Sequence, residues 1–230
     1  MVVELTRTTQ GDLVQLVRDG KAKVGEVIVA EYQTAGRGRL DRSFEADRGT
    51  ALLFSFYVQP QRNRDDWGWI PLIAGYSVAK SLQSFNAVVK WPNDVLIKGK
   101  KVSGLITEVV GEGVVIGIGV NVGMEENQLP VDTATSLLVE GGKEFTRNKL
   151  ICDILEEFQE QFIQWDQGID EIQPLYKQLS ATIGTQVRVE YPGGASQHGK
   201  AEGVSETGAL ILGVDVHEFA RKFQRAVRIA

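Results

Sequence analysis

KKVSGLITEVVGEGVVIGIGVNVG, residues 100–123, contains two runs rich in valine and isoleucine that are joined by a Gly-Glu-Gly turn. Such runs favour β-strands, and a short glycine turn between them predicts a hairpin. Gly117 and Gly119 lie inside the second run, where glycine marks the close approach of a ligand to a sheet. The spacing G-x-G-x-x-x-G, with no amphipathic helix after it, does not match the fingerprint of a dinucleotide-binding fold. The stretch therefore predicts a sheet with room for a ligand lying across it.

The chain on either side of this hairpin alternates between two hydrophobic patterns. Runs of β-branched and aromatic residues predict strands, and apolar residues that recur every three or four positions predict helices. The predicted strands cover residues 24–32, 49–58 and 87–94, and the predicted helices cover residues 8–20, 67–85, 150–165 and 172–179. This alternation predicts an α/β (α+β) fold, with a mixed sheet flanked by helices.

The character of the sequence changes after Ser180. Short apolar runs separated by glycine turns follow, which is typical of a small barrel of about five strands. We therefore expect two domains, a larger one over residues 1–182 and a small C-terminal β-barrel over residues 183–230.

Composition narrows the class of protein and its compartment. The 230 residues are 43% hydrophobic and 24% charged, as in soluble globular proteins. A net charge of −5 argues against binding to DNA or to an anionic membrane, and no apolar run is long enough to span a bilayer. The single cysteine, Cys152, excludes an internal disulfide and lies in the apolar pattern of a helix, which predicts a buried thiol. We expect a cytoplasmic protein without a DNA or membrane partner.

Between the first two predicted strands lies YQTAGRGRLDRSF, residues 32–44, a stretch without helix or strand periodicity. Arg37, Arg39 and Arg42 concentrate positive charge there, and Asp41 opposes them. Glycine lets backbone N–H groups approach a ligand closely, and arginine offers a planar fork of donors that suits phosphate oxygens. The stretch predicts a loop that binds a polyphosphate, or a carboxylate facing a phosphate. A solvated turn and an RNA-binding segment are the alternative interpretations.

A second stretch whose side chains could bind a ligand is KWPNDVLIKGKKVSG, residues 90–104. Its proline turn displays Asn93 and Asp94, whose oxygen atoms suit an Mg²⁺ ion that accompanies a nucleotide. Lysines follow at the next turn, Lys101 among them, and Gly104 lies inside a strand, where glycine often marks the approach of a ligand. The alternative interpretation is an ordinary hairpin connection with lysines at the sheet edge.

In this order, four segments resemble the biotin–protein ligases, also called biotin–[acetyl-CoA-carboxylase] ligases. The segments are TTQ at 8–10, EYQTAGRGRLDRSF at 31–44, KWPNDVLIKGKKVSGLITEV at 90–109 and VVIGIGVNVG at 114–123. The similarity runs over residues 8–140, and the small C-terminal barrel is also similar to that of the family. The resemblance implies a class II synthetase-like catalytic domain followed by an SH3-like barrel.

The resemblance implies an activity in two half-reactions. The carboxylate of biotin attacks the α-phosphorus of ATP, with Mg²⁺ as the accompanying ion, to give biotinyl-5′-adenylate and pyrophosphate. A lysine of a biotin carboxyl carrier protein then attacks the mixed anhydride and releases AMP. Longer family members carry an N-terminal DNA-binding module, whereas here the catalytic pattern starts within the first ten residues, so we expect a dedicated enzyme. Monomer and homodimer both remain open.

The resemblance also implies roles for individual residues. The implied biotin contacts are Thr8, Thr9, Gln10, Gln33, Arg37, Gly38, Arg39, Lys101, Gly104, Gly117 and Gly119. The implied ATP or adenylate contacts are Gly36, Arg37, Arg39, Arg42, Phe44, Lys90, Asn93, Asp94 and Asn121, with Asn93 and Asp94 as the Mg²⁺ ligands. The implied catalytic residues are Lys101, which offsets the repulsion between carboxylate and α-phosphate, Arg39, which retains the adenylate, and Asp94, a hypothetical base for the acceptor lysine.

Two positions depart from the pattern of the family. Asp41 stands where glycine is usual and weakens the positive field of the loop. Phe44 stands where tryptophan is usual and can still stack on adenine. The alternative functions are a lipoate– or octanoate–protein ligase of the same fold and a paralogue that binds biotin without ligating it.

Overall fold

The computed structural model describes residues 1–38, 43–142, 146–191 and 194–213. Seven strands form one sheet, in which the first two strands pair in parallel and every other neighbouring pair is antiparallel. In chain order they are β1 (Val2–Val3), β2 (Val27–Ala30), β3 (Ala51–Val58), β4 (Val88–Lys90), β5 (Asp94–Ile97), β6 (Lys100–Val110) and β7 (Gly113–Asn121). Their order across the sheet is β1-β2-β3-β7-β6-β5-β4. The predicted mixed sheet is confirmed.

The β6–β7 hairpin lies near the centre of this sheet, as its sequence predicts. It pairs Val110 with Gly113 across the turn and continues in register to Ser103 and Val120. Gly111 occupies the left-handed region at φ +58°, which a glycine adopts without steric cost.

Four α-helices accompany the sheet in the described part of the chain. They are α1 (Thr9–Arg18), α2 (Ile70–Ser81), α3 (Arg147–Asp166) and α4 (Ile172–Gln178), with short 3₁₀ turns at Arg64–Trp69, Gln83–Phe85 and Glu126–Gln128. The helix predicted over 67–85 is therefore an α-helix between two 3₁₀ turns. Pro174 lies in the first turn of α4, where its missing N–H leaves no intrahelical bond unmade.

The two faces of the sheet are covered differently. Alternation along β3 directs Phe54 and Phe56 to the large core beneath α2 and α3, where Phe56 meets Phe158 edge to face at 4.8 Å between ring centroids. On the opposite face Tyr57 joins a smaller cluster with Leu13 of α1. Because α1 covers only part of that second face, the remainder is available for a site.

Cys152 is exposed, so the prediction of a buried thiol is wrong. The stripe that α3 buries contains Leu150, Ile154 and Phe158. Cys152 lies two residues from Leu150, which is about 200° around a helix with 3.6 residues per turn and so on the opposite side. In the described ranges, no helix combines the length and the apolar character needed to cross a membrane.

The C-terminal region forms a separate three-stranded antiparallel sheet with the order β10-β9-β8. Its strands are β8 (Gln186–Glu190), β9 (Ser196–Val204) and β10 (Leu210–Gly213). The further strands of the predicted five-stranded barrel would fall in residues 214–230, outside the described residues.

Two tryptophans from the part of the chain that forms the seven-stranded sheet contact the turn between β9 and β10, residues 205–209. The indole N–H of Trp69 donates to the carbonyl of Ser205 at 3.0 Å, and that of Trp91 donates to the carbonyl of Gly208 at 3.2 Å. Gly68 touches the same turn, since a Cβ there would lie 2.1 Å from the carbonyl oxygen of Thr207. These contacts fix the small sheet beside the edge strand β4 and the turn that precedes α2.

Candidate active site

A cavity of about 870 Å³ lies between the uncovered face of the seven-stranded sheet and β8. The register of the sheet divides its floor into two rows of cross-strand neighbours. The first row runs Ser55, Gly117, Ile106. The second row runs Leu53, Gly119, Gly104, Asp94, Lys90. The first row leads to neutral polar groups and the second to charged groups.

The polar end of the cavity consists of Thr9, Gln10, Gln33 and Ser55. The backbone N–H of Thr9 donates to Oε1 of Gln33 at 2.7 Å, and the Thr9 hydroxyl lies 3.2 Å from the same oxygen. The hydroxyls of Thr9 and Ser55 are 2.8 Å apart. Gln10 Nε2 donates to the carbonyl of Val115 at 3.1 Å, which turns Gln10 Oε1 toward Ser55 Oγ at 3.3 Å. This end is uncharged and closely connected.

The charged end consists of Lys90, Asp94 and Lys101. Lys101 Nζ lies 2.5 Å from Asp94 Oδ1, and the two side chains are 40% and 25% exposed. A Cβ at Gly104 would lie 2.8 Å from Lys101 Nζ, so glycine is what allows the lysine to cross the strand to Asp94. Lys90 is exposed beside them. The Asn93 amide donates to the Leu105 carbonyl at 2.9 Å, which ties the proline turn to β6.

The backbone of Lys101 is fixed by the segment that follows β7. Its N–H donates to the carbonyl of Thr133 at 2.8 Å, and its carbonyl accepts from the N–H of Thr135 at 2.8 Å. The Thr135 hydroxyl donates to Glu140 at 2.8 Å, and Glu140 also pairs with Lys98 at 2.9 Å. The Lys98 hydrogen bond is the main reason that the pKa of Glu140 is lowered, although burial opposes it. A buried carboxylate therefore supports the turn that precedes Lys101.

The arginine-rich loop reaches the cavity through its described ends. Arg37 and Gly38 line the cavity, as does Phe44. The Phe44 N–H donates to the Gly36 carbonyl at 3.0 Å, and the Phe44 ring lies against Gly119, where a Cβ would be 2.7 Å from Cζ. Gly36 itself lines a neighbouring cavity of about 400 Å³. Arg39, Asp41 and Arg42 lie outside the described residues.

Asn121 is not brought to the cavity. It is buried, and its side-chain amide donates to the carbonyl of Thr135 at 2.9 Å. Asn121 therefore holds the segment around Thr135, beside Lys101, and does not line the cavity. The remaining described site residues line the cavity together: Thr8, Thr9, Gln10, Gln33, Arg37, Gly38, Phe44, Lys90, Asn93, Asp94, Lys101, Gly104, Gly117 and Gly119.

Sequence reasoning missed two parts of the cavity wall. Ser55 is the single polar residue of the run ALLFSFYV, and this interruption of an apolar strand was a detectable signal. The other part is β8 and its flanks, with Gln186, Arg188 and Tyr191 among the lining residues. No motif marks these residues, because their position depends on how the C-terminal sheet docks.

The chain belongs to the biotin/lipoate A/B protein ligase family, whose model matches residues 2–125. A second model, the biotin protein ligase C terminal domain, matches residues 182–217. The biotin–[acetyl-CoA-carboxylase] ligase of Mycobacterium tuberculosis is 37% identical over 220 residues, which cover 93% of this chain and 82% of that protein. The bifunctional ligase/repressor BirA of Bacillus subtilis is 32% identical over 84% of this chain, which spans 63% of BirA.

A solved structure gives the same relationship. The biotin protein ligase of Aquifex aeolicus, in complex with biotin and ATP, matches with a TM-score of 0.81 and 28% identity, over 94% of this chain and 91% of that chain. The fold class expected from the sequence is therefore confirmed, and the family is the one that the four segments resemble.

Proposed function

We propose that this protein is an ATP-dependent biotin–protein ligase. The observation that carries the proposal is the placement of a neutral hydrogen-bonding end and a Lys101–Asp94 end on adjacent rows of one sheet face. An acid that is polar but neutral at one end and carboxylate at the other fits this arrangement. Biotin has that form, and the similar ligases named above are biotin ligases.

In the first half-reaction the polar end binds the ureido ring through Thr9, Gln10 and Gln33, together with the neighbouring Thr8. The apolar chain is assigned to the row of Gly119 and Gly104, against which the Phe44 ring and the Lys101 side chain pack. A carboxylate oxygen then attacks the α-phosphorus of ATP, the new P–O bond forms, and pyrophosphate leaves. Lys101 would offset the charge of carboxylate and phosphate, which is the stabilisation that this step requires.

In the second half-reaction an acceptor lysine attacks the acyl carbon of the adenylate, and AMP leaves. The amine must first lose a proton, because its pKa is near ~10.4 in an unperturbed side chain. Asp94 is the carboxylate at the charged end that could take this proton. Its pairing with Lys101 supports a further task, that of holding the ammonium group in place before ATP arrives.

The donor set at Asn93 and Asp94 suits Mg²⁺ only as a companion of ATP. Among the residues that the structure describes, no group of three or more His, Cys, Asp or Glu side chains could hold a metal ion. Magnesium is commonly bound by one or two carboxylates with substrate phosphates supplying further ligands, so Asp94 and the Asn93 amide are sufficient. When bound, the ion would neutralise phosphate charge; Asp94 would share its carboxylate with Lys101.

We assign Arg37, Arg39 and Arg42 to the adenylate and Phe44 to the adenine. The acceptor is the lysine of a biotin carboxyl carrier protein in the cytoplasm. The catalytic domain spans residues 1–182 and the barrel spans residues 183–230.

Biotin-dependent exchange of labelled pyrophosphate into ATP tests the proposal without an acceptor protein. Lipoate and octanoate serve as parallel substrates, and isothermal titration with biotin runs beside the assay. Exchange with biotin and not with the other acids is expected. Exchange only with lipoate or octanoate would show another ligase of this family. Biotin binding without exchange would show a non-ligating protein.

A further inference from the structure

Ser55 is an unusual residue in its surroundings. It lies in the middle of β3 and is 0% exposed, and the other residues of that strand are aliphatic or aromatic. Its hydroxyl faces the cavity between Thr9 and Gln10, 2.8 Å from one and 3.3 Å from the other. Gly117, its cross-strand neighbour, leaves the room for this contact, because a Cβ there would lie 3.2 Å from Ser55 Oγ.

The protons of this network can be counted. Three oxygen–oxygen contacts join Gln33 Oε1 to Thr9, Thr9 to Ser55, and Ser55 to Gln10 Oε1. Both amide oxygens are acceptors. Gln33 Oε1 accepts the backbone N–H of Thr9, and Gln10 is oriented by its Nε2, which donates to the carbonyl of Val115. The two hydroxyls supply one proton each. Three contacts therefore share two protons, and one contact always lacks a donor.

We infer that Ser55 is a positioning and specificity-determining residue for the substrate of the proposed ligase. Through its two contacts it holds the Thr9 hydroxyl and the Gln10 amide in a network that is one proton short, so the polar end accepts a ligand N–H. Gln33 Nε2 makes no hydrogen bond within the described part of the chain, so it supplies a donor for a ligand carbonyl. The group selected is thus a neutral one with adjacent N–H and C=O, as in a cyclic urea. This inference rests on the proposed function.

A purely structural serine looks different in this fold. Ser77 in α2 is also 0% exposed, yet its hydroxyl simply donates to the Ile73 carbonyl one turn earlier, at 2.8 Å. Its proton has one acceptor, and no side chain of the cavity depends on it. Ser77→Ala is therefore the matched control for Ser55→Ala, since both changes remove one buried hydroxyl.

The test compares biotin binding and exchange kinetics of the parent, Ser55→Ala, Ser55→Cys and Ser77→Ala. We expect Ser55→Ala to raise the Kd and KM for biotin about 10-fold, the effect of one hydrogen bond, with kcat and the KM for ATP unchanged. Ser55→Cys, a weaker donor, should fall between, and Ser77→Ala should match the parent. Equal biotin constants for Ser55→Ala and an active parent would overturn the inference and leave the proposed function intact.

A second ligand separates positioning from a general defect, even where Ser55→Ala is poorly folded and Ser55→Cys must be used. The ligand is biotin with a methyl group on one ureido nitrogen, which removes one N–H donor. The parent should discriminate against it more strongly than the Ser55 variant does, by about 5-fold, because the ordered acceptor is the group that reads the N–H. The same discrimination ratio in parent and variant would contradict the inference. A parent that binds neither ligand would refute the proposed function itself.

Discussion

The two ends of the cavity are built on opposite principles. At the polar end, Thr9, Gln10 and Ser55 are each 3% exposed or less, and their side chains are bonded to one another. At the charged end, the Lys101 side chain is 40% exposed and is paired with one carboxylate. The first end is rigid and neutral, and the second is charged and open to solvent.

The difference matches the chemistry that each end is proposed to perform. Recognition of a neutral ring depends on buried groups that are left unpaired when the wrong ligand binds, so burial increases selectivity. Attack on a phosphate needs cations near the reacting oxygens and an open path for ATP and for the acceptor. Substitutions at the charged end should therefore change rates and the preference for a carboxylate over its neutral amide, whereas substitutions at the polar end should change the affinity for both forms alike.

Replacement of Lys101 is expected to have the largest effect. Lys101→Ala removes the ammonium group beside Asp94, and biotin-dependent exchange should fall by about 10²–10³-fold, the usual cost of losing one electrostatic contact to a transition state. Lys100→Ala is the control, since Lys100 is an exposed neighbour with the same charge. Equal rates for the two variants would mean that Lys101 has no special place at the charged end.

Asp94→Asn should have the second largest effect. It leaves Lys101 without its carboxylate partner, and we expect the exchange rate to fall by about 10-fold to 10²-fold because the ammonium group is no longer held. Transfer from preformed biotinyl-5′-adenylate to the carrier protein is measured separately in a single turnover. If transfer proceeds at the full rate, Asp94 is not the base for the acceptor lysine.

The docking of the C-terminal sheet gives a third test. Gly208 has φ +84°, and a Cβ there would lie 2.3 Å from the backbone of Gly68. Gly208→Ala should displace the turn from Trp91 and lower the exchange rate about 10-fold, since the wall beside the charged end shifts. Gly194→Ala is the control, because Gly194 has φ +85° with open space around it. An unchanged Kd for biotin is expected in both, and a loss of biotin affinity in Gly208→Ala would blur the distinction between the ends.

The smallest effect is expected at Glu140, which supports the turn before Lys101, and is a pH-dependent change in the free energy of unfolding. Because the pKa of folded Glu140 is lowered from 4.5, its charge stabilises the fold above that pH, and this contribution is lost as the pH falls through the folded value. Glu140→Gln should cost about 1 kcal/mol of unfolding free energy at neutral pH, and the deficit should shrink toward acid pH. Denaturant titrations measure it. Glu112→Gln, which removes an exposed carboxylate that is paired with Arg64, is the control at neutral pH.

Much of this arrangement could be predicted from local sequence. The β6–β7 run and the α3 stripe have the periodicity of their elements, and the segments around Gly36, Lys90 and Gly117 mark the chemistry. The structural role of Asn121 could not be predicted from local sequence, because its side-chain amide donates to the carbonyl of Thr135, 14 residues away in the chain. Ser55 joins the site through sheet register, and its only trace in the sequence is the interruption of an apolar run; β8 joins it through the docking of the C-terminal sheet, which no motif marks.

Two ligands, biotin and its neutral amide, test whether the charged end recognises the carboxylate and the polar end recognises the ring. Their Kd values are compared on the parent, Lys101→Ala and Ser55→Ala by isothermal titration. We predict that the parent prefers biotin by about 10-fold, since the ammonium–carboxylate contact is charge-assisted, and that Lys101→Ala binds both equally. Ser55→Ala should weaken both and keep the preference. A Lys101 variant that retains the preference, or a Ser55 variant that loses it, would contradict the account.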